Sequence, residues 1–293
     1  MGGRTIGDMV GHVAGASAGL LEELPSWVTL VRADNPGAMT LDGTNTWVLR
    51  VPGADRGVVI DPGPLLEDHL TALAAHAPVG SILITHRHPD HVAGAARLAQ
   101  LLGGVDVLAA DPAHSQPGPP LAGDIDIDRY GLSIRALATP GHSSDSVCFL
   151  VRAQRQQVVF TGDTILGRGT TVVAQPDGDL GDYLASLRRL EKLRGLAVLP
   201  GHGPALTDCG AAARFYLDHR LARLEQVRAA RAAGARTAQD VVATVYADVD
   251  RSLWWAAEMS ARAQLAFLDS EQTQEQRAED RESEGPLLRL DPP

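Results

Sequence analysis

The chain has 293 residues, a formal net charge of −10, and 44% hydrophobic against 21% charged residues. That length bounds the answer at one large or two moderate domains with material for a sizeable core, and no run approaches the ~18 uncharged apolar residues of a membrane span. The acidic balance, with Lys192 the only lysine, argues against a protein built to coat polyanions, because phosphate binding draws on clustered Lys and Arg.

Short runs rich in Val, Ile and Leu predict strands at 27–32, 45–51, 57–60, 81–84, 105–108, 132–138, 146–151 and 157–160, most of them bounded by Gly, Pro or Asp. Several alternate, so each has a core face and a second face. Helices are predicted between some of them, at 64–77 opening on Pro64, at 91–102 ending before Gly103-Gly104, and at 183–194 with Leu184, Leu187, Leu190 and Leu193 before Gly195. Strands in blocks with interspersed helices suit an α/β fold of two sheets covered outside by helices, although the pattern alone fits other mixed folds. From about 206 the pattern is helical without strands. Leu217, Leu221, Leu224 and Val227 form one stripe, Thr237 can cap a helix carrying Val241, Val242 and Val245, and Leu253, Ala257, Leu265 and Leu268 mark a third. The division is therefore 1–208 and 209–293, with 269–285 a polar, mostly acidic segment expected to be flexible. Gly285 to Leu290 could return as a short strand. The amino terminus lacks a basic stretch followed by a sustained apolar core. The two cysteines, Cys148 and Cys209, make no disulfide framework. Both features point to a cytoplasmic protein.

The chemistry concentrates at Thr85-His86-Arg87-His88-Pro89-Asp90-His91, directly after the apolar run Ser81-Ile82-Leu83-Ile84. A strand has little packing reason to end in so many imidazoles and a carboxylate, since each is costly to bury unless something satisfies it. A metal satisfies them all. A single zinc takes about four ligands, with one position open when the site is catalytic, so His86, His88, Asp90 and His91 already suggest more than one ion. Three further candidates each stand where a strand-like run breaks into a glycine-containing turn: His142 after Thr139-Pro140-Gly141, Asp163 after Phe160-Thr161-Gly162, and His202 after Pro200-Gly201. Imidazole with carboxylate suits zinc, and also iron or manganese. Seven ligands with one carboxylate shared would hold two divalent ions.

At these residues the chain resembles the metallo-beta-lactamase superfamily, with motifs covering most of residues 27 to 204. The resemblance implies an αββα sandwich, a first metal on His86, His88 and His142, a second on Asp90, His91 and His202, and Asp163 bridging them. It narrows at Asn35-Pro36-Gly37-Ala38-Met39-Thr40-Leu41-Asp42-Gly43-Thr44-Asn45-Thr46, at Gly167-Arg168-Gly169-Thr170-Thr171 and at Tyr216-Leu217-Asp218-His219-Arg220. These are similar to the beta-lactamase-like protein 2 family, related to glyoxalase II and ribonuclease Z, which adds a small helical winged-helix-like domain at the C-terminus. That match extends to about residue 268.

A metal pair directs the chemistry to hydrolysis: it acidifies a bound water and stabilises the charge that develops on the attacked group. Asp163 and Asp90 are the catalytic candidates, Asp163 setting the metal spacing and Asp90 orienting the nucleophile. Asp61 is a candidate acceptor for the N–H of a ligand histidine, and Arg168, Thr170 and His219 are candidates for lining the substrate pocket. Three function classes follow. The first is hydrolysis of small-molecule acyl substrates, thioesters or esters and weakly lactams; the second is phosphodiester cleavage of single-stranded RNA. The third is a mononuclear iron dioxygenase of the same fold. Acidic net charge tilts the balance to acyl hydrolysis, and Asp163 where a dedicated lactamase carries Cys tilts it away from lactams. A homo-oligomer is compatible with all three.

Overall fold

The computed structural model describes residues 19–283, with side chains through Gln274. Alternation of apolar residues sorts its ten strands into two layers. One sheet runs β1 (Val28–Arg32), β2 (Asn45–Leu49), β3 (Gly57–Ile60), β4 (Val79–Leu83) and β5 (Asp106–Leu108), in that order. Its first two pairings are antiparallel and its last two parallel. The second sheet comprises β6 (Ile125–Asp126), β7 (Ser133–Ala138), β8 (Val147–Ala153), β9 (Gln156–Gly162) and β10 (Ala197–Pro200), ordered β10-β9-β8-β7-β6. Only the β9–β10 pair in it is parallel.

Because side chains alternate along a strand, Trp47, Leu49, Val58 and Ile60 of the first sheet meet Phe149, Val151, Val158 and Phe160 of the second in a shared core. Trp47 and Phe160 touch edge to face at 5.9 Å between ring centroids. The intervening residues point outward. Val48, Val59 and Ile82 pack under α1 (Glu67–Ala74) and α3 (Ala95–Leu101), while Cys148, Val159 and Val198 pack under α4 (Leu180–Leu190) and α5 (Cys209–Ala232). The result is helices, sheet, sheet, helices.

The topology also decides where chemistry can collect. Strands β3 and β4 run parallel, as do β9 and β10, and β7 shares the direction of β9 because each is antiparallel to β8. Loops leaving the carboxyl ends of all five strands therefore gather along one edge of the sandwich.

Several boundaries differ from the sequence expectation for identifiable reasons. The helix predicted at 91–102 is two pieces, α2 (Pro89–Val92) and α3, broken at Gly94. A Cβ on Gly94 would stand 2.7 Å from Leu70 Cδ2 and 3.1 Å from two backbone oxygens, so the break is a close approach to the loop before α1. Helix α4 begins earlier than predicted, because Asp179 rather than Asp182 caps it, accepting from the Asp182 N–H at 2.9 Å. The two-residue β6 was not predicted.

After β10 the described residues hold helices and no further strand. Asp208 caps α5 through the Ala211 N–H, and Thr237 with Asp240 forms a reciprocal capping box at α6 (Ala238–Val245). A 3-10 turn at Arg251–Leu253 leads into α7 (Trp254–Ser283). This last helix corrects the expectation of a flexible 269–285 segment, for it is continuous to Ser283. Residues 269–283 are dominated by Glu, Gln, Arg and Ala, with no glycine or proline before Gly285, and these are helix formers that need no apolar stripe to stay helical. Asp269 and Glu271 also pair with Arg231 and Arg228 of α5. The strand predicted at 285–290 lies outside the described residues. Among those described, no helix is long and apolar enough to cross a membrane.

Tyr216, fully buried on α5, ties the helical region to the loop after β9: its hydroxyl accepts from the Leu166 N–H at 3.0 Å and faces the Leu166 carbonyl at 3.3 Å. Tyr216→Phe leaves both backbone groups unpaired in the core, which should cost about 1–3 kcal/mol. Urea denaturation of the two proteins reads this as a lower midpoint at unchanged slope.

Candidate metal centre

The centre begins at Asp61, directly after β3. Its backbone is left-handed, with φ of 52°, a region that Asp tolerates better than most side chains. Its carboxylate is buried and takes three protons: the Thr85 N–H at 2.8 Å, the Thr85 hydroxyl at 2.6 Å and the His91 Nδ1–H at 2.9 Å. Thr85, its hydroxyl proton thus committed, accepts from His86 Nδ1–H at 3.0 Å. On the other sheet His142 Nδ1–H donates to the Val172 carbonyl at 2.9 Å, and His202 Nδ1–H donates to the Gly43 carbonyl at 3.1 Å. A neutral imidazole whose Nδ1 donates carries its lone pair on Nε2. His86, His91, His142 and His202 are all held in that tautomer.

The free nitrogens converge. His88 Nδ1 lies 3.0 Å from Nε2 of both His86 and His142. His91 Nε2 lies 3.2 Å from His202 Nε2 and 3.4 Å from carboxylate oxygens of Asp90 and Asp163. Asp163 stands between the groups, 3.8 Å from His142 Nε2 and 3.4 Å from His202 Nε2. Ligand atoms fall within 4.8 Å of one another in three sets: His86, His88 and His142; His86, His91 and Asp163; Asp90, His91 and His202. Asp163 Oδ1 is buried with no hydrogen-bond partner. Lone pairs facing one another at about 3 Å and an orphaned carboxylate oxygen are costly in a protein interior, and a divalent cation satisfies both. The residues fit a metal.

Charge divides the cluster. Burial and the neighbouring His91 and His142 push His86 well below the ordinary histidine range, and burial likewise lowers His142 against the opposing pull of Asp163. At the acidic end burial is outweighed: Asp163, Asp90 and Asp61 raise His91 well above its ordinary value, and Asp163 with Asp90 lifts His202 to about 9. Asp163 itself, although buried, is held well below the carboxylate range by His202 and His91. Without a cation the acidic half must recruit protons onto its histidines. A bound cation would supply that positive charge instead.

Two glycines make room. A Cβ on Gly201 would fall 2.6 Å from both Asp163 Oδ1 and His91 Cε1, and Gly162, at φ of 48°, would set one 2.5 Å from the Thr85 hydroxyl. Two supports of the centre carried no role in the sequence. Asn45 donates to the carbonyls of Pro200 and Gly203 at 3.0 and 2.8 Å, fixing the His202 turn. Arg87, between two ligand histidines, pairs with Asp177, and with Asp111 and Asp145 at 3.6 and 3.9 Å. Nothing in the chain order signals these pairs, because the partners lie on remote loops.

The remaining candidates occupy different places. Arg168 bonds Asp42 at 2.8 Å across the mouth of a cleft of about 390 Å³, lined by Met39, Leu41, His142, Asp163 and Thr170 among others. His219 is apart from the ligand cluster, stacked on Phe215 at 6.3 Å between centroids and facing a second cleft. Its neighbour Arg220 bonds the Thr171 carbonyl across the junction with the helical region.

The fold agrees with the comparisons to known proteins. The metallo-beta-lactamase superfamily profile matches residues 39–202, and that of the beta-lactamase associated winged helix domain matches residues 237–280. The chain is 32% identical to a beta-lactamase-like protein 2 homolog of Drosophila melanogaster, covering 85% of this chain and 89% of that protein. It is 34% identical to an atrochrysone carboxyl ACP thioesterase of Aspergillus fumigatus, covering 73% and 69% respectively. Among solved structures, a beta-lactamase domain protein from Burkholderia ambifaria superposes with a TM-score of 0.72 at 24% identity, covering 85% of this chain and 88% of that one. The chain belongs to the metallo-beta-lactamase superfamily and joins its catalytic fold to the associated winged helix domain.

Proposed function

We propose that the protein is a dinuclear metal hydrolase of acyl substrates, with thioesters foremost. The observation that carries this is the convergence of five imidazole nitrogens on two carboxylates, one of them with an orphaned buried oxygen. His86, His88 and His142 would hold one ion, Asp90, His91 and His202 the other, with Asp163 shared. Zinc suits such nitrogen and oxygen donors, and iron or manganese are the competitors. Bound there, the ions supply Lewis acidity and an acidified water.

The protein's own groups do the rest. Asp61, Thr85, Val172 and Gly43 take the Nδ1–H of four imidazoles, so Nε2 of each is the nitrogen turned to the cluster, and His91 and His202 give up their Nε2 proton when a cation takes its place. Asp90, more exposed than Asp163 at 28% against 12% of the side chain, can orient water and accept its proton. Met39 and Leu41 give the mouth an apolar side that excludes bulk water. The thioesterase relatives support a thioester over a lactam or a phosphodiester, as does the acidic net charge of −10.

Elemental analysis of metal-replete protein should return two ions per chain, and a panel of thioester, lactam and RNA substrates should show the thioester cleaved fastest. One ion at saturation removes the dinuclear reading, and a single tightly held iron replaces it with dioxygenase chemistry. Asp163→Ala should lose turnover together with at least one metal, whereas His76→Ala, outside the cluster, should keep both. Asp61→Asn, which disturbs the acceptor of His91 without touching a ligand, should weaken metal affinity about 10–100-fold, measured by competition with a chromogenic chelator.

A further inference from the structure

A second cleft of about 520 Å³ adjoins the metal mouth and shares the wall Thr170-Thr171-Val172 with it. Its floor is apolar, from Tyr246, Val249, Leu253 and Ala256, and its head is cationic, from Arg220 and Arg223. Arg220 is only 5% exposed and its Nε is buried with no hydrogen-bond partner. Arg223 lies over the Tyr246 ring at 4.8 Å and donates to the Val245 carbonyl at 2.7 Å. Among the described residues neither arginine has a carboxylate within ion-pair distance, in a protein where acids outnumber bases 36 to 26. Two guanidinium groups left unneutralised beside an apolar floor, one with an idle buried donor, form a receptor for an anion on an apolar stem. His219 at the same head is pushed down to about 4 by burial and by Arg220 and Arg223, so it adds no charge at neutral pH and can accept or donate one hydrogen bond.

The shared wall is bonded to both clefts. The Thr171 hydroxyl donates to the Asp163 carbonyl at 2.6 Å, Val172 accepts from the ligand His142, and the Thr171 carbonyl accepts from Arg220. A molecule whose scissile bond sits at the metal ligands can therefore reach Arg220 by passing Thr170 to Val172.

We propose that this cleft is the anchoring site for an anionic group of the substrate, carried on an apolar stem from the bond that is cleaved. The inference rests on the acyl-hydrolase reading above. Two sources present this chemistry, a carboxylate at the far end of the acyl chain and a phosphate on the thiol half of a thioester.

Two matched pairs of unreactive probes distinguish them by calorimetry on metal-replete protein: hexanedioic acid monomethylamide against N-methylhexanamide, and S-methyl phosphopantetheine against S-methyl pantetheine. One anionic probe should bind about tenfold or more tighter than its neutral partner, one charge-assisted contact being worth about 1.4 kcal/mol or more. The preferred pair identifies the source. Arg223→Gln should abolish the preference with metal content unchanged, Arg220→Gln should do the same if the junction folds, and Arg214→Gln on the exposed side of α5 should retain it. Equal binding within both pairs, a preference that survives Arg223→Gln, or binding of a single-stranded RNA oligonucleotide with neither small anion would overturn the proposal. Turnover is not required, so the two ideas fail separately. Anion preference without thioester cleavage refutes the acyl-hydrolase reading, and cleavage without anion preference refutes the anchoring site.

Discussion

The Asp61 carboxylate is the interaction on which the centre depends. One group at the end of β3 receives the backbone and hydroxyl of Thr85, on the loop after β4, and the imidazole of His91, on α2. Through Thr85 it also fixes His86. The left-handed turn of Asp61 itself is held by its N–H to the Leu83 carbonyl, so the strand pairing of β3 with β4 is what aims the carboxylate. Sheet registry thus becomes ligand registry. The Asp61 carboxylate accepts from His91 Nδ1 and so turns Nε2 of that ring toward the cluster. The carboxylate thereby fixes both the position and the tautomer of the ligands without entering the cluster.

The same logic explains why the two sheets must face each other. Four candidate ligands come from the β4 edge and three from loops after β7, β9 and β10, so neither sheet alone assembles either triad that includes His142 or His202. Packing of Trp47 against Phe160, and of Leu49 and Ile60 against Phe149 and Val151, sets the distance between the edges. Gly201 and Gly162 then allow the loops to approach to contact, where any side chain would collide with Asp163 or Thr85. The core contributes to chemistry through this spacing, since a shift of an ångström between sheets would separate ligand atoms that now lie within 4.8 Å.

Much of this was legible in the sequence because it is local. The cluster from His86 to His91 announces itself by the mismatch between a buried strand end and ionisable side chains, and the glycine turns before His142, Asp163 and His202 mark places where loops come close. Alternating strands likewise forecast two faces. What the sequence did not reveal depends on residues far apart in the chain: Asn45 securing the His202 turn, Arg87 meeting Asp177, and Val172 orienting His142. The end of α7 differs from the sequence expectation for another reason. A segment without an apolar stripe is helical all the same when it is a run of good helix formers continuing from a start, which Trp254 to Leu268 provides by packing on α5 and α6.

The helical region bears on the site through one short segment. Residues Thr170 to Val172 belong to the first domain, yet their carbonyls serve a metal ligand on one side and Arg220 of α5 on the other, while Tyr216 of the same helix secures Leu166 just upstream. Two consecutive peptides, Thr171–Val172 and Val172–Val173, thus carry the two bonds. The position of the Val172 carbonyl, and with it the His142 ring, is therefore set in part by where α5 places Arg220.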